Sequence, residues 1–274
     1  MPMKRREPLE RSPTVMAPGQ DAADVIQRRS EIWAERPLTR EVYRRAFGEI
    51  RRELADGDLT LEIGGGSGMA RDFLSGVLVT DLVRTPHVDV VADAVRLPFA
   101  PGSVDNLIGT DCLHHLPQPA LLFEEAIRVL RPGGRLILVE PFISPLSRLA
   151  FALAHPEPVD LAVDPLPADG RPVVIGTGPF AANQAIPTLL FYTHRRRFAA
   201  RFPELHLRTC RRTSLIAYPL SGGFSAPCFV PRWLHGSLFA LERIAAPLAP
   251  LMAFRLLVTL ERVMPPAHVP VALP

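Results

Sequence analysis

Apolar residues recur at three- and four-residue steps between Val25 and Leu54. Ile32, Trp33, Val42, Tyr43, Phe47, Ile50 and Leu54 fall on one side and arginines fill the other. The spacing predicts helix, and Pro37 divides it into two. The pattern then changes. Residues 59–63 form a short apolar run that ends in Gly64-Gly65-Gly66-Ser67-Gly68 and leads into a helix-like segment reaching Leu74. Further β-branched runs follow at 77–81, 88–93, 104–110 and 135–140. An amphipathic helix over 118–130, closed by Arg131-Pro132-Gly133-Gly134, separates the last two. Short apolar strands alternating with helices predict an α/β fold, a mostly parallel sheet with helices on both faces.

After Pro141 the periodicity fades. Residues 142–187 carry many prolines, which is long for a plain connection and predicts a lid or substrate insertion. A last helix is expected over 189–202, followed by strand-like runs at 205–211 and 214–218, within a segment spanning 188–220. Residues 221–274 read as a C-terminal cap of two apolar helices. Residues 1–24, rich in Pro, Arg and Asp, read as a flexible tail, 25–57 as a helical N-terminal segment, and 58–141 as the central α/β unit.

Composition removes several mechanisms. Of 31 basic residues all but Lys4 are arginine, so a phosphate loop that needs a lysine and a Schiff-base enzyme are both excluded. A net charge of +3, with no basic groove or stacking arrangement, gives no indication of nucleic acid. Cys112, Cys210 and Cys228 have neither paired nor zinc-like spacing, and the N-terminus lacks a signal-peptide pattern. The expected setting is therefore reducing and cytoplasmic. The most apolar stretch, 237–260, is broken by Glu242, Arg243, Pro247, Pro250 and Arg255, so no transmembrane segment is expected.

The chemistry concentrates at strand ends. Glu62 with Gly64, Gly65, Gly66 and Gly68 makes a turn in which the backbone can approach a ligand closely. A carboxylate before such a turn suits an ammonium group. Asp81 closes the second strand and could hold both hydroxyls of a ribose. Asp93 and Ala94 close the third, where a carboxylate could accept from an adenine amine, and Asp111 closes the fourth. In an open parallel sheet the ligand crevice lies at these carboxyl ends.

Leu61-Glu62-Ile63-Gly64-Gly65-Gly66-Ser67-Gly68, Asp81 and Ala92-Asp93-Ala94-Val95-Arg96-Leu97-Pro98-Phe99 together resemble the class I S-adenosylmethionine-dependent methyltransferases. The resemblance continues through Ser103-Val104-Asp105, Leu113-His114-His115-Leu116 and Arg128 to Leu136, covering roughly residues 58–141. It implies a Rossmann-like fold with a seven-stranded, mostly parallel sheet whose last two strands are an antiparallel pair. It also implies S-adenosyl-L-methionine as cofactor and S-adenosyl-L-homocysteine as product. The glycine loop and Glu62 would hold the methionine part, Asp81 the ribose and Asp93 the adenine. Segments 32–38, 155–158, 182–187 and 218–223 are similar to a bacterial methyltransferase subgroup, which adds architecture rather than specificity.

Methyl transfer is an in-line displacement, so positioning supplies much of the rate, and a base is needed only where the nucleophile must lose a proton. His114 and His155 are the candidate bases, with Glu140 behind them. His155, Glu157 and Asp160 do not follow a known ligand spacing, and no metal is expected. The reading is transfer to a small-molecule or lipid- or saccharide-linked acceptor, at oxygen. Peripheral membrane contact and a homodimer through the C-terminal helices are compatible with it. Two alternatives stay open: a silent S-adenosylmethionine-binding scaffold or sensor, and an NAD-dependent oxidoreductase on the same sheet.

Overall fold

A computed structural model describes residues 20–155, 157–178 and 181–264. The predicted tail lies outside the described residues up to position 19, as do the last ten residues of the predicted cap. Pro37 divides the N-terminal segment as expected: α1 spans Gln20–Glu35, and α2 spans Pro37–Glu53 with the proline in its first turn. Among the described residues, seven strands form one sheet in the order β3-β2-β1-β4-β5-β7-β6. The strands β1 (Thr60–Ile63), β2 (Val77–Asp81), β3 (Val90–Val91), β4 (Val104–Thr110) and β5 (Leu130–Pro141) run parallel. β6 (Leu205–Thr213) and β7 (Arg255–Arg262) add the antiparallel closure, β7 pairing with β5 and β6.

Alternation along the central strands divides the core. Leu107, Leu136, Leu138, Leu256 and Val258 face one layer, in which Phe123 of α3 (Pro119–Val129) meets Phe191, just after α5 (Ile186–Thr188), and Phe198 of α6 (Arg195–Arg201). Their neighbours Ile108, Ile137, Val139 and Leu257 face the other, against Tyr43, Phe47 and Ile50 of α2. The sheet is thus buried on both faces.

Three predicted elements differ. The glycine loop does not open a helix; only the 3-10 turn Met69–Asp72 separates it from β2. Ser75-Gly76 ends the connection before an α-helix has room to form. Residues 214–218 are not a strand. Ser214 adopts a left-handed φ of 60°, Glu242 accepts from the amides of Leu215 (2.7 Å) and Ala217 (3.0 Å), and α7 (Ala217–Ser221) follows. The seventh strand comes instead from the presumed helical cap, at Arg255–Arg262. It is inserted between β5 and β6 and buried on both faces, so it reads as a continuous apolar run that periodicity cannot tell from a buried helix. The cap is therefore an insertion before β7, built around α8 (His235–Ile244) and α9 (Ala249–Met252). Phe239 of α8 packs with Leu38 and Val42 of α2.

The insertion after β5 begins with α4 (Pro145–Ala154), whose first turn is closed by a reciprocal Ser144–Ser147 capping box. Beyond it the chain is irregular but cross-tied. Asn183 Oδ1 accepts from the Asp160 amide (3.0 Å), and its Nδ2 donates to the Asp160 carbonyl (3.0 Å). The Asn183 amide donates to the His114 carbonyl at 2.9 Å, which anchors the insertion on the carboxyl end of the sheet.

Candidate active site

Gly64 and Gly68 have φ of 67° and 70°, the left-handed region that favours glycine. The Gly65 amide donates to the Thr80 carbonyl at 3.1 Å, drawing the loop across the end of β2. A Cβ on Gly65 would strike the Glu62 carboxylate and come within 2.7 Å of Val79, so the loop lies directly over Glu62. Glu62 Oε2 is buried and has no hydrogen-bond partner among the described residues. Burial, reinforced by the nearby Asp81 charge, pushes its carboxyl up to about 8. A buried carboxylate oxygen left unpaired next to an open backbone turn is what a cationic ligand group would satisfy.

Asp81 and Asp93 sit at the predicted strand ends, but they are engaged locally. Asp81 accepts from the amides of Gly66 and Val83, both at 2.8 Å, while burial raises its carboxyl. Asp93 accepts from the Val95 amide at 3.1 Å, with Ala94 inside that turn. Neither aspartate lines the main cavity, and nor do Gly66, Gly68 and Ala94.

Asp111, with a left-handed φ of 55°, does line it. Its carboxylate accepts from the Tyr43 hydroxyl (2.7 Å) and from Arg255 Nη2 (2.5 Å). Arg255 is fully buried, with the Tyr43 and Tyr218 rings 4.9 and 5.2 Å from its guanidinium carbon.

The fourth group lies where β4 and β5 end. Glu140, wholly buried, accepts from the amides of Cys112 and Leu113 at 2.8 Å through one oxygen and meets His114 Nδ1 at 2.7 Å through the other. On the far side of the same ring, His114 Nε2 lies 3.3 Å from Glu157 Oε2. Burial alone would lower the His114 imidazole, but its bonds to Glu140 and Glu157 prevail and hold it up at about 9. Burial would raise Glu157, yet its bond to His114 brings it down to about 2. The Gln184 side-chain amide donates to the same carboxylate. His115 donates from Nδ1 to the Ala181 carbonyl (3.0 Å), and burial, with the His114 charge beside it, lowers it to about 4. His155 accepts the Glu157 amide at Nδ1 (3.2 Å), and burial lowers its pKa as well. Asp160 turns aside and accepts from the Ala162 amide at 2.8 Å.

A cavity of about 740 Å³ joins the first, third and fourth of these groups, within the usual range of ligand pockets of ~300–1,000 Å³. Its lining includes Glu62, Gly64, Gly65 and Asp111, the group His114, His115, His155 and Glu157, and Phe151 and Leu153 of α4. Arg28, Arg29 and Ile32 of α1 line it as well. Sequence reasoning missed Tyr43, Gln184, Tyr218 and Arg255. Tyr43 was hidden in the apolar stripe of α2 and Arg255 in a supposed helix. His115 could have been found from its pairing with His114.

Residues 61–138 match the family model described as "Methyltransferase domain". A demethylmenaquinone methyltransferase of Mycolicibacterium vanbaalenii is 33% identical over 148 residues, covering 53% of this chain and 59% of the relative. One of Paenarthrobacter aurescens is 40% identical over 73 residues, covering 26% of this chain and 29% of the relative. The matched segments thus span between about a third and three-fifths of the length of these two relatives. Among solved structures, a protein in complex with the Haloferax volcanii Trm112 methyltransferase activator superposes with a TM-score of 0.50 at 16% identity. That match covers 90% of this chain and 99% of that one, a likeness of fold.

Proposed function

Because residues 61–138 form a class I S-adenosylmethionine-dependent methyltransferase domain, we propose that this protein transfers a methyl group from S-adenosylmethionine to a small apolar or lipid-linked acceptor, at oxygen. The observation that carries the reading is the unpaired, buried Glu62 oxygen under the glycine turn, in a cavity that Phe151 and Leu153 also line. The bound cofactor supplies an electrophilic methyl on a sulfonium centre. Glu62 and the Gly64–Gly65 backbone hold its amino-acid end, Asp81 takes the ribose once its loop bonds adjust, and Asp93 with Ala94 borders the adenine. Asp111, pinned by Tyr43 and Arg255, fixes the wall between cofactor and acceptor.

The acceptor side is Phe151, Leu153 and the histidine–glutamate group. The names of the relatives, demethylmenaquinone methyltransferases, favour a greasy, ring-bearing acceptor. So do the exposed Leu149 and Leu153 on α4 and Ile244 and Leu251 on the cap, which would also serve a peripheral membrane contact or a homodimer. His114, clamped at both ring nitrogens, positions Glu157. His155, kept neutral by burial, meets the acceptor oxygen.

Calorimetric titration with S-adenosylmethionine, S-adenosylhomocysteine and NADH, followed by transfer of a labelled methyl group to hydroquinone and phenol acceptors, tests the reading. Micromolar binding of the first two with label appearing in an acceptor supports it. Binding without transfer to any acceptor would favour a sensor, and binding of NADH alone would overturn the assignment.

A further inference from the structure

We propose that His114, His115 and Glu157 form a binding site for a divalent transition-metal cation of the zinc class, on the acceptor side of the cavity. The residues follow one another on the 3-10 turn Leu113–His115 and on the insertion that folds back over it, so no conventional ligand spacing announces them. One ligand atom from each lies within 4.8 Å of the others. His114 Nε2 to Glu157 Oε2 is 3.3 Å, the separation of two ligands around a tetrahedral zinc at about 2.0–2.1 Å, and His115 Nε2 to Glu157 Oε1 is 3.8 Å.

The second nitrogen of each imidazole is already fixed. His114 Nδ1 is bonded to the buried Glu140 carboxylate (2.7 Å) and His115 Nδ1 to the Ala181 carbonyl (3.0 Å). This leaves Nε2 of both rings on the Glu157 side. Carboxylate- or carbonyl-bonded histidines with the opposite nitrogen presented are the usual support of a metal centre. Gln184, nearly fully buried on the cavity wall, donates from Nε2 to Glu157 and has an Oε1 without a partner among the described residues. Two imidazoles with one carboxylate select zinc-like ions over magnesium or calcium. Three protein ligands leave a position open for an exogenous oxygen. Binding displaces the proton from His114 Nε2 to solvent and puts the metal in its place, while Nδ1–H stays on Glu140.

The site rests on these residues alone. That it binds an acceptor hydroxyl and lowers its pKa rests on the function proposed above. The test is metal analysis of the full chain, stripped with chelator and reloaded with Zn²⁺, together with the visible spectrum of the Co²⁺-loaded form. About one ion per chain and a d–d spectrum of low-coordinate cobalt are expected. His115→Ala and Glu157→Gln should each weaken Zn²⁺ by about a hundredfold or more, and Glu140→Gln by ~10–100-fold as a supporting residue. His206→Ala, on the exposed surface, should bind as the parent does. S-adenosylhomocysteine titration and circular dichroism verify that each variant is folded. A folded parent that takes up no zinc, or variants that keep full affinity, would overturn the site while leaving the cofactor reading intact. Loss of S-adenosylhomocysteine binding with zinc retained would do the reverse.

Discussion

Asp111 and Arg255, 144 residues apart in the chain, meet at 2.5 Å beneath the cavity wall, and the Tyr43 hydroxyl completes the contact at 2.7 Å. The pair joins the end of β4 to the start of β7, so the late strand is tied directly to the ligand crevice. Arg255 is fully buried, and removing one partner of a buried ion pair costs ~3–5 kcal/mol. The Asp111 side chain keeps 20% exposure, which places Arg255→Met nearer ~3 kcal/mol. Tyr43→Phe, losing one hydrogen bond to a charged group, should cost about 1.5–3 kcal/mol. Urea unfolding of the singles and the double variant should give a sum larger than the double, because both act on the same carboxylate. Additive costs would mean that the network does not act as a unit.

The position of Glu62 predicts a pH dependence. Its folded carboxyl, raised from 4.5 to about 8 by burial, favours the protonated form. Its contribution to stability is therefore full below the unfolded value and declines as pH rises through 4.5 towards about 8, because the unfolded chain releases that proton first. Glu62→Gln, always neutral, should abolish this slope, and melts of the two proteins across that range would separate it from other titrations.

The same proton is linked to the cofactor. An ammonium group on Glu62 stabilises the carboxylate, so at pH 7 binding of S-adenosylmethionine should release about one proton from the parent and none from Glu62→Gln. Calorimetry in buffers of different ionisation enthalpy reads this directly, and affinity should rise with pH up to about 8. A buffer-independent enthalpy would move the ammonium away from Glu62.

Much of this arrangement was legible in the sequence, for identifiable reasons. The strands β1, β2 and β4 and the helix α3 announce themselves because each is short, apolar and bounded by Gly, Pro or Asp. Glu62 and the glycines follow one another along the chain, so their meeting needs no tertiary knowledge. β7 was hidden because a strand between two strands has no polar face. Arg255 was hidden with it, read as an interruption of a helix when it is the buried partner of Asp111. The histidine–glutamate group escaped because His115 and Glu157 are brought together by the Asn183 ties between two stretches of irregular chain. Those bonds follow no period.

Asp81 gives a prediction about affinity rather than stability. Its carboxylate accepts from the Gly66 and Val83 amides, so it shapes the loop in the free protein. Asp81→Ala should lower S-adenosylhomocysteine affinity tenfold or more, on the scale of ~1.4 kcal/mol. Asp81→Asn keeps an acceptor for one amide and should recover part of it. Unchanged affinity in Asp81→Ala would remove the ribose assignment and leave the aspartate as a loop cap.

His155 and His114 separate by the kind of loss they produce. Removing His114 leaves Glu140 and Glu157 buried without their shared partner, so His114→Ala should lower the melting temperature before any rate is considered. His155 is less enclosed and contacts Glu157 mainly by accepting its amide at 3.2 Å, so its removal should leave the fold and cofactor affinity intact. If His155 works on the acceptor oxygen, His155→Ala should slow turnover by ~10². His155→Gln distinguishes the two ways it could act. Because Nδ1 accepts the Glu157 amide, the neutral ring carries its proton on Nε2 and donates from there, and it can act as a base only by releasing that amide from Nδ1. A glutamine amide can replace that donor but cannot take up a proton. Recovery of most of the rate in His155→Gln, with a flat pH profile, would mark orientation of the acceptor, and no recovery would mark proton removal. Rates equal to the parent in His155→Ala would sink both roles.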